Sequence, residues 1–298
     1  MQENLIPAGS TVGALQIRPK LDPVDNRILL SHALGLSRVG LITQSERVLT
    51  SEETAHLSAL LARRLQGEPI AYIIGQREFF GLPFEVSDAV LIPRPDTEVL
   101  VECALERLPA QGRVLDMGTG SGAIAVALAH SRPDAVVTAL DVSSAALAVA
   151  RRNASANGVN ITFMASNWFD ALGTERFELI VSNPPYIASG DRHLAEGDLR
   201  FEPVGALTDH ADGLSALRII IAGAGRHLLA GGWLLLEHGY DQAGAVRQLL
   251  QEAGFDDVQS WRDLAGIERV SGARLNRTFF ILPLIGLTVQ RAARPTVC

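Results

Sequence analysis

Val114-Leu115-Asp116-Met117-Gly118-Thr119-Gly120-Ser121-Gly122 decides the fold. An apolar run ends on an acid, and three glycines then alternate with small hydroxyl residues. Ala123–His130 follows as an apolar helical stretch. Glycines between a strand and a helix let the backbone turn sharply and let a ligand approach it closely. Asp141 ends the next apolar run, about 20 residues beyond Gly120. A carboxylate there can accept hydrogen bonds from both hydroxyls of a ribose.

Gly118, Gly120 and Ala123 also satisfy the G-x-G-x-x-A fingerprint of dinucleotide sites, so a nicotinamide or flavin cofactor stays open at this point. Three features favour S-adenosylmethionine. Asp116 sits at the strand end, within reach of the ammonium group of a bound methionine moiety. No second phosphate-binding half is evident. The third feature is a tetrapeptide further along, Asn183-Pro184-Pro185-Tyr186, which has no role in hydride transfer.

Outward from the glycine loop the chain alternates. Strands are expected at Arg113–Met117, Ala135–Leu140, Asn160–Met164, Phe177–Ser182 and Gly232–Glu237. Helices are expected near Ala123–His130, Ser144–Asn157, Leu214–Leu229 and Gln242–Ala253. Two further strands read as Asp257–Arg262 and Glu268–Arg274. This order predicts an α/β domain with a mostly parallel sheet covered by helices on both faces.

Upstream the pattern differs. Residues 1–75 read as a small helical domain, with helices over Asp25–Leu34 and from near Thr50. Ser51 is taken as the cap of the second, with Glu52 and Glu53 in its first turn, and Gly67 and Pro69 end it. Residues 76–95 read as a β-hairpin link, because Phe79–Val86 holds two short strands around a Gly/Pro turn. Leu91-Ile92-Pro93-Arg94-Pro95-Asp96 is stiffened by its prolines, and Asp96 or Thr97 then caps a helix to about Leu108. The catalytic domain is expected over 96–281, with a tail at 282–298. In that tail region Phe279–Ile285 is apolar and Arg291–Arg294 basic.

The chain has 298 residues, 47% of them hydrophobic, and a net charge of -7. That balance opposes non-specific binding of nucleic acid, which needs Lys and Arg to neutralise phosphates. The two cysteines, Cys103 and Cys298, form no C-x-x-C pair, so neither a zinc site nor a redox motif is expected. No signal peptide and no run long enough to span a bilayer are evident, and a cytoplasmic monomer is expected.

The tetrapeptide carries the chemistry. It follows Glu178-Leu179-Ile180-Val181-Ser182, at the strand ends where open α/β sheets bind ligands. A planar NH₂ group has two hydrogens. The Asn183 side-chain oxygen can accept one and the Pro184 carbonyl the other. Two aimed dipoles then stabilise the positive charge that develops on nitrogen during methyl transfer. Pro185 stiffens the loop, and Tyr186 can pack on the planar acceptor. The catalytic residues read this way are Asn183, Pro184 and Tyr186. The cofactor side comprises Asp116, Gly118, Thr119, Gly120, Ser121, Gly122, Asp141, Trp168 and Asn183. The substrate side comprises Asn183, Pro184, Pro185, Tyr186, Thr97 and Glu98. Trp168 follows the third strand, where an adenine ring could pack, and Thr97 and Glu98 open a helix beside the cofactor. His238 reads as a loop histidine, and no metal site is expected.

These residues resemble the release factor glutamine methyltransferase family. The likeness runs to about Arg274 and includes Gly67-Glu68-Pro69-Ile70-Ala71-Tyr72-Ile73-Ile74-Gly75, Ile92–Glu98, the glycine loop, Asn183–Tyr186, Arg200-Phe201-Glu202-Pro203 and Glu237-His238-Gly239. The Asn-Pro-Pro-Tyr element is shared with adenine-N6 DNA methyltransferases, whereas Ile92–Glu98 is far more specific. The resemblance implies a seven-stranded class I, Rossmann-like methyltransferase domain with a small N-terminal helical domain and a hairpin link. It implies S-adenosylmethionine as cofactor, S-adenosylhomocysteine as product, and methylation of the glutamine side chain in the Gly-Gly-Gln loop of peptide-chain release factors. The N-terminal domain would help grip that substrate. Asn167 departs from the pattern, standing where an acid would contact the adenine amino group. Competing expectations are glutamine methylation of a ribosomal protein, adenine methylation of DNA, and a non-catalytic module that senses the cofactor or escorts release factors.

Overall fold

A computed structural model describes residues 5–17 and 19–276. The expected tail, the apolar Phe279–Ile285 stretch and the boundary at 281 lie outside the described residues. Among the described residues no helix is long and apolar enough to cross a membrane.

The N-terminal unit is built from helices Val12–Ile17, Pro23–Leu34, Arg38–Thr43, Ser51–Leu65 and Ile70–Ile74. Leu29, Leu30, Leu41, Leu57 and Leu61 share one apolar cluster at its centre. Asp22 starts the Pro23–Leu34 helix by accepting from the Val24 amide, and Gly35, at φ 63°, ends it in the left-handed conformation. The next long helix is capped by Thr50 rather than by Ser51. The Thr50 hydroxyl accepts from the Glu53 amide and the Glu53 carboxylate accepts from the Thr50 amide, a reciprocal capping box. Ser51 is already the first helical residue.

Strands β1 (Gln76–Phe79) and β2 (Leu82–Glu85) pair antiparallel. Phe80 and Gly81 turn between them with φ of 52° and 75°. Phe79 and Phe84 meet edge to face at 6.0 Å and sit in the same core cluster as Leu100, Val126 and Leu179. The hairpin is therefore packed onto the sheet domain. Asn153 holds it there, accepting from the Glu85 amide and donating to the Glu85 carbonyl.

Strands β3 (Arg113–Met117), β4 (Val136–Asp141), β5 (Thr162–Ala165), β6 (Phe177–Ser182), β7 (Leu228–Glu237), β8 (Asp256–Arg262) and β9 (Glu268–Arg274) form one sheet of order β5-β4-β3-β6-β7-β9-β8. The first five in that order run parallel, and β9 is antiparallel to both its neighbours. β7 begins at Leu228, four residues before the expected Gly232. Leu228 is fully buried and pairs with Phe177, so it leaves the helix that precedes it, which ends at His227. Gly231, at φ 84°, lies where the register shifts.

The sheet order places the site. The chain winds outward from β3 through β4 to β5, then returns to the other side of β3 with β6. The carboxyl ends of β3 and β6 therefore flank the crevice at the switch point. Met117 pairs with Ser182, and the Ser182 hydroxyl donates to the Met117 carbonyl at 2.7 Å. The glycine loop and the Asn183 loop leave the sheet side by side.

Candidate active site

The two loops open into a cavity of about 300 Å³. The Gly118 and Thr119 amides both donate to the Leu140 carbonyl, at 2.9 and 2.8 Å, which bends the loop back over β4. Gly122 takes φ 83° as the helix Ala123–Ser131 begins, and a Cβ there would lie 3.1 Å from the Ala150 Cβ. Glycine is thus required both by conformation and by helix packing.

Asp141 lines the cavity with its carboxylate plane fixed. One oxygen accepts from the Gly120 amide at 2.9 Å and the other from the Ser143 amide at 2.8 Å. Each oxygen keeps a second lone pair for a ligand hydroxyl. Burial raises its pKa, and the backbone amides pull against that.

Asp116 stands one layer behind the wall. Met117, Gly118 and Thr119 line the cavity and Asp116 does not. Its Oδ2 accepts from the Thr119 hydroxyl at 2.7 Å, while its Oδ1 is buried with no partner among the described residues. Burial pushes the carboxyl up to about 7, with the Thr119 bond opposing. Fully buried behind the glycine cradle, Asp116 can attract a cationic ligand end through the loop, but the direct contact expected of it is not offered by the cavity wall. Apolar Leu140, Val142 and Ala146 line the region near Asp141. Val142 is 74% exposed at this edge, and residue patterning alone did not single it out.

Trp168 lines the same cavity at φ 50°, an unusual conformation for a bulky residue. Ser166 holds the turn, donating to the Trp168 carbonyl at 2.8 Å and accepting from the Ala171 amide at 3.1 Å. Asn167 lines the cavity beside it. These residues, the Asp141 carboxylate and the glycine cradle together fit S-adenosylmethionine.

Across the crevice, Asn183 and Pro185 line the cavity, as does Thr97. The Asn183 amide nitrogen donates to the Thr97 hydroxyl at 3.2 Å. With its nitrogen engaged, the Asn183 oxygen remains available as an acceptor. Tyr186, expected to stack on a planar acceptor, reaches toward the end of β7 with its hydroxyl. It is not part of the cavity wall, and its hydroxyl lies 3.5 Å from Glu237 Oε1, while burial pushes the phenol well above its ordinary range. Pro184 does not line the wall either. Glu98 is likewise outside the lining, because its carboxylate accepts from the Phe80 amide at 3.0 Å and ties the hairpin to the helix Glu98–Arg107. His238 is buried, with Nε2 2.8 Å from the Ser271 hydroxyl.

A second wall was not expected from motif reading. Leu91, Pro93 and Arg94 face the cavity from one segment, and Pro203, Gly205 and Ala206 from another. Glu202 joins them. Its carboxylate accepts from the Ile92 amide at 3.0 Å and pairs with Arg94. Its signals in the sequence were the two elements Leu91–Glu98 and Arg200-Phe201-Glu202-Pro203, neither of which pointed to the other.

The family model described as the PrmC N-terminal domain matches residues 18–75, and that described as the Methyltransferase small domain matches residues 95–197. The chain is 56% identical over 278 residues to the release factor glutamine methyltransferase of Burkholderia pseudomallei, covering 90% of this chain and 98% of that one. It is 50% identical over 252 residues to the release factor glutamine methyltransferase of Escherichia coli, covering 84% and 91%. A methyltransferase from Pyrococcus furiosus shares the fold, with a TM-score of 0.51 at 23% identity, over 74% of this chain and 98% of that one.

Proposed function

The chain belongs to the release factor glutamine methyltransferase family, and from this membership and the site we propose that it methylates the side-chain nitrogen of a glutamine in peptide-chain release factors, using S-adenosylmethionine. The observation that carries the chemistry is the bond from the Asn183 nitrogen to Thr97, which leaves the Asn183 oxygen to accept.

S-adenosylmethionine, when bound, supplies an electrophilic methyl group. Asp141 would receive the ribose hydroxyls, Trp168 and Val142 would flank the adenine, and the glycine loop would carry the methionine portion. The Asn183 oxygen would accept one hydrogen of the glutamine NH₂. The Pro184 carbonyl, outside the lining of the cofactor cavity, would have to meet the other from the acceptor side of the loop. A dipole whose negative end faces a nitrogen that becomes positive lowers the barrier when it is held in place beforehand, as the Thr97 bond holds Asn183. Holding the nitrogen toward the methyl group removes much of the entropic cost as well. No strong base is required first, since the proton can leave after transfer.

The substrate is the glutamine of the Gly-Gly-Gln loop. Adenine offers the same planar NH₂, but the net charge of -7 opposes a DNA substrate. The test is incubation with radiolabelled cofactor, unmodified release factor and, in parallel, duplex DNA. Label should appear on the Gly-Gly-Gln glutamine by peptide mass spectrometry. A folded, cofactor-binding sample that labels only DNA, or nothing, overturns the reading.

A further inference from the structure

Glu237 ends β7 and is 1% exposed. Ser182 pairs with Leu236 in parallel register, so Glu237 lies level with Asn183 at the strand ends. A buried carboxylate is costly unless a cation or several donors meet it. The nearby cation, Arg269, is turned elsewhere, to Asp263 at 3.0 Å and Asp96 at 3.4 Å. Glu237 Oε1 has the Tyr186 hydroxyl at 3.5 Å, Oε2 has no partner among the described residues, and the Thr97 hydroxyl is near enough to pull against the burial of the carboxyl. A residue needed only to fill the end of a core strand would be apolar.

The directions of these bonds are informative. An ionised carboxylate only accepts, and a threonine hydroxyl has one hydrogen. If that hydrogen goes to Glu237, Thr97 can only accept from Asn183. The NH₂ end of the Asn183 amide must then face Thr97, and the oxygen end must face the cavity. We propose that Glu237 is a positioning residue for methyl transfer: acting through Thr97, and steadying Tyr186 of the same loop, it sets which end of the Asn183 amide meets the acceptor nitrogen. This rests on the methyl-transfer function proposed above. A side chain at 237 able to donate would let Thr97 donate to Asn183 in turn, and the amide would present its NH₂ to an acceptor that is itself a donor.

Glu237→Gln is the direct test, because it keeps the shape and adds the ability to donate. Burial pushes the Glu237 carboxyl up to about 7, so the assay is run well above neutral pH. For Glu237→Gln and for Thr97→Val, kcat should fall roughly 10- to 100-fold, the loss expected for one hydrogen bond to a charged group. The dissociation constant of S-adenosylmethionine, by calorimetry, should stay within about twofold, since neither change touches the Asp141 side of the cavity. The double variant should be no slower than the slower single one, because both break one chain. Wild-type kcat in Glu237→Gln, or losses that multiply in the double variant, overturns the proposal. If Glu237→Gln shows no cooperative melting, Thr97→Val decides alone: unchanged kcat overturns the proposal, and a loss with cofactor affinity retained supports it. Failure of the wild-type protein to label release factor would instead sink the proposed function.

Discussion

Replacing Glu202 with alanine should loosen the cavity wall by a calculable amount. Glu202 is buried, and its carboxylate holds the Ile92 amide and the Arg94 guanidinium. Ile92 is itself buried, so the alanine variant strands a donor, at a cost of about 1–3 kcal/mol. Arg94 is 35% exposed and can turn to water, so the ion pair adds well under about 1 kcal/mol. Burial outweighs Arg94 and Ile92 and leaves the Glu202 pKa raised, so removing the charge also returns some free energy. The net loss is about 2 kcal/mol. Glu202→Gln keeps an acceptor for Ile92 and should lose less than about 1 kcal/mol.

Urea denaturation of both variants tests these values. In chains of this size a loss of that order lowers Tm by roughly 4–8 °C. Calorimetric titration with S-adenosylmethionine tests the functional half. Glu202 ties Leu91–Arg94 to Pro203–Ala206, and both segments line the cavity, so the alanine variant should bind more weakly than the glutamine variant. Equal stability of wild type and Glu202→Ala would refute the energetic argument. A destabilised variant with undiminished affinity would show that the tie serves folding and not the cavity.

Asn183→Ala removes an aimed dipole and should cut kcat by at least ~100-fold while cofactor affinity changes little; near-normal turnover in steady-state kinetics would show that the loop does not orient the acceptor. Asp141→Ala should weaken S-adenosylmethionine binding roughly 10- to 100-fold by calorimetry, since it withdraws the acceptors facing the ribose. Its affinity matching wild type would remove that role. The Asp116 and Glu237 carboxyls, both pushed by burial up to about 7, make stability pH-dependent. Between the ordinary carboxyl range near ~4 and about 7, the folded chain keeps protons that the unfolded chain has released, so stability falls as pH rises through that window. The stability gap between Glu237→Gln and wild type should therefore grow in favour of the variant as pH rises, and a gap independent of pH in urea melts would contradict it.

The sheet was readable where strands are buried on both faces and bounded by turn signals. Arg113–Met117, Phe177–Ser182 and Glu268–Arg274 end where their patterns end. β7 was read short because Leu228-Leu229 continues a helical pattern and Gly231-Gly232 looks like its stop. The pairing of Leu228 with Phe177 decides otherwise, and only the sheet supplies that partner. Thr50 and Ser51 are adjacent hydroxyl residues with the same acids following, and which one caps depends on backbone torsions that composition does not encode. Asp141 was found because its distance from the glycine loop follows from one strand–helix–strand unit.

The rest of the site depends on register. Thr97, Asn183 and Glu237 are far apart in the chain and come from a helix start and two strand ends. They meet because β6 and β7 run parallel with Ser182 opposite Leu236. Likewise the Glu202 carboxylate reaches an amide 110 residues away. Local motifs indicate which groups can accept or donate, but not which of them a side chain turns toward. Tyr186 shows the difference: as a motif member it could stack on a planar substrate, and its hydroxyl also lies 3.5 Å from a buried carboxylate at the end of β7. The Tyr186 hydroxyl reaches the same buried carboxylate that lies near Thr97, so loop support is a second role open to the residue. A Tyr186→Phe variant separates the two roles, because it keeps the ring and loses the hydroxyl: stacking alone predicts unchanged kcat, and loop support predicts a fall.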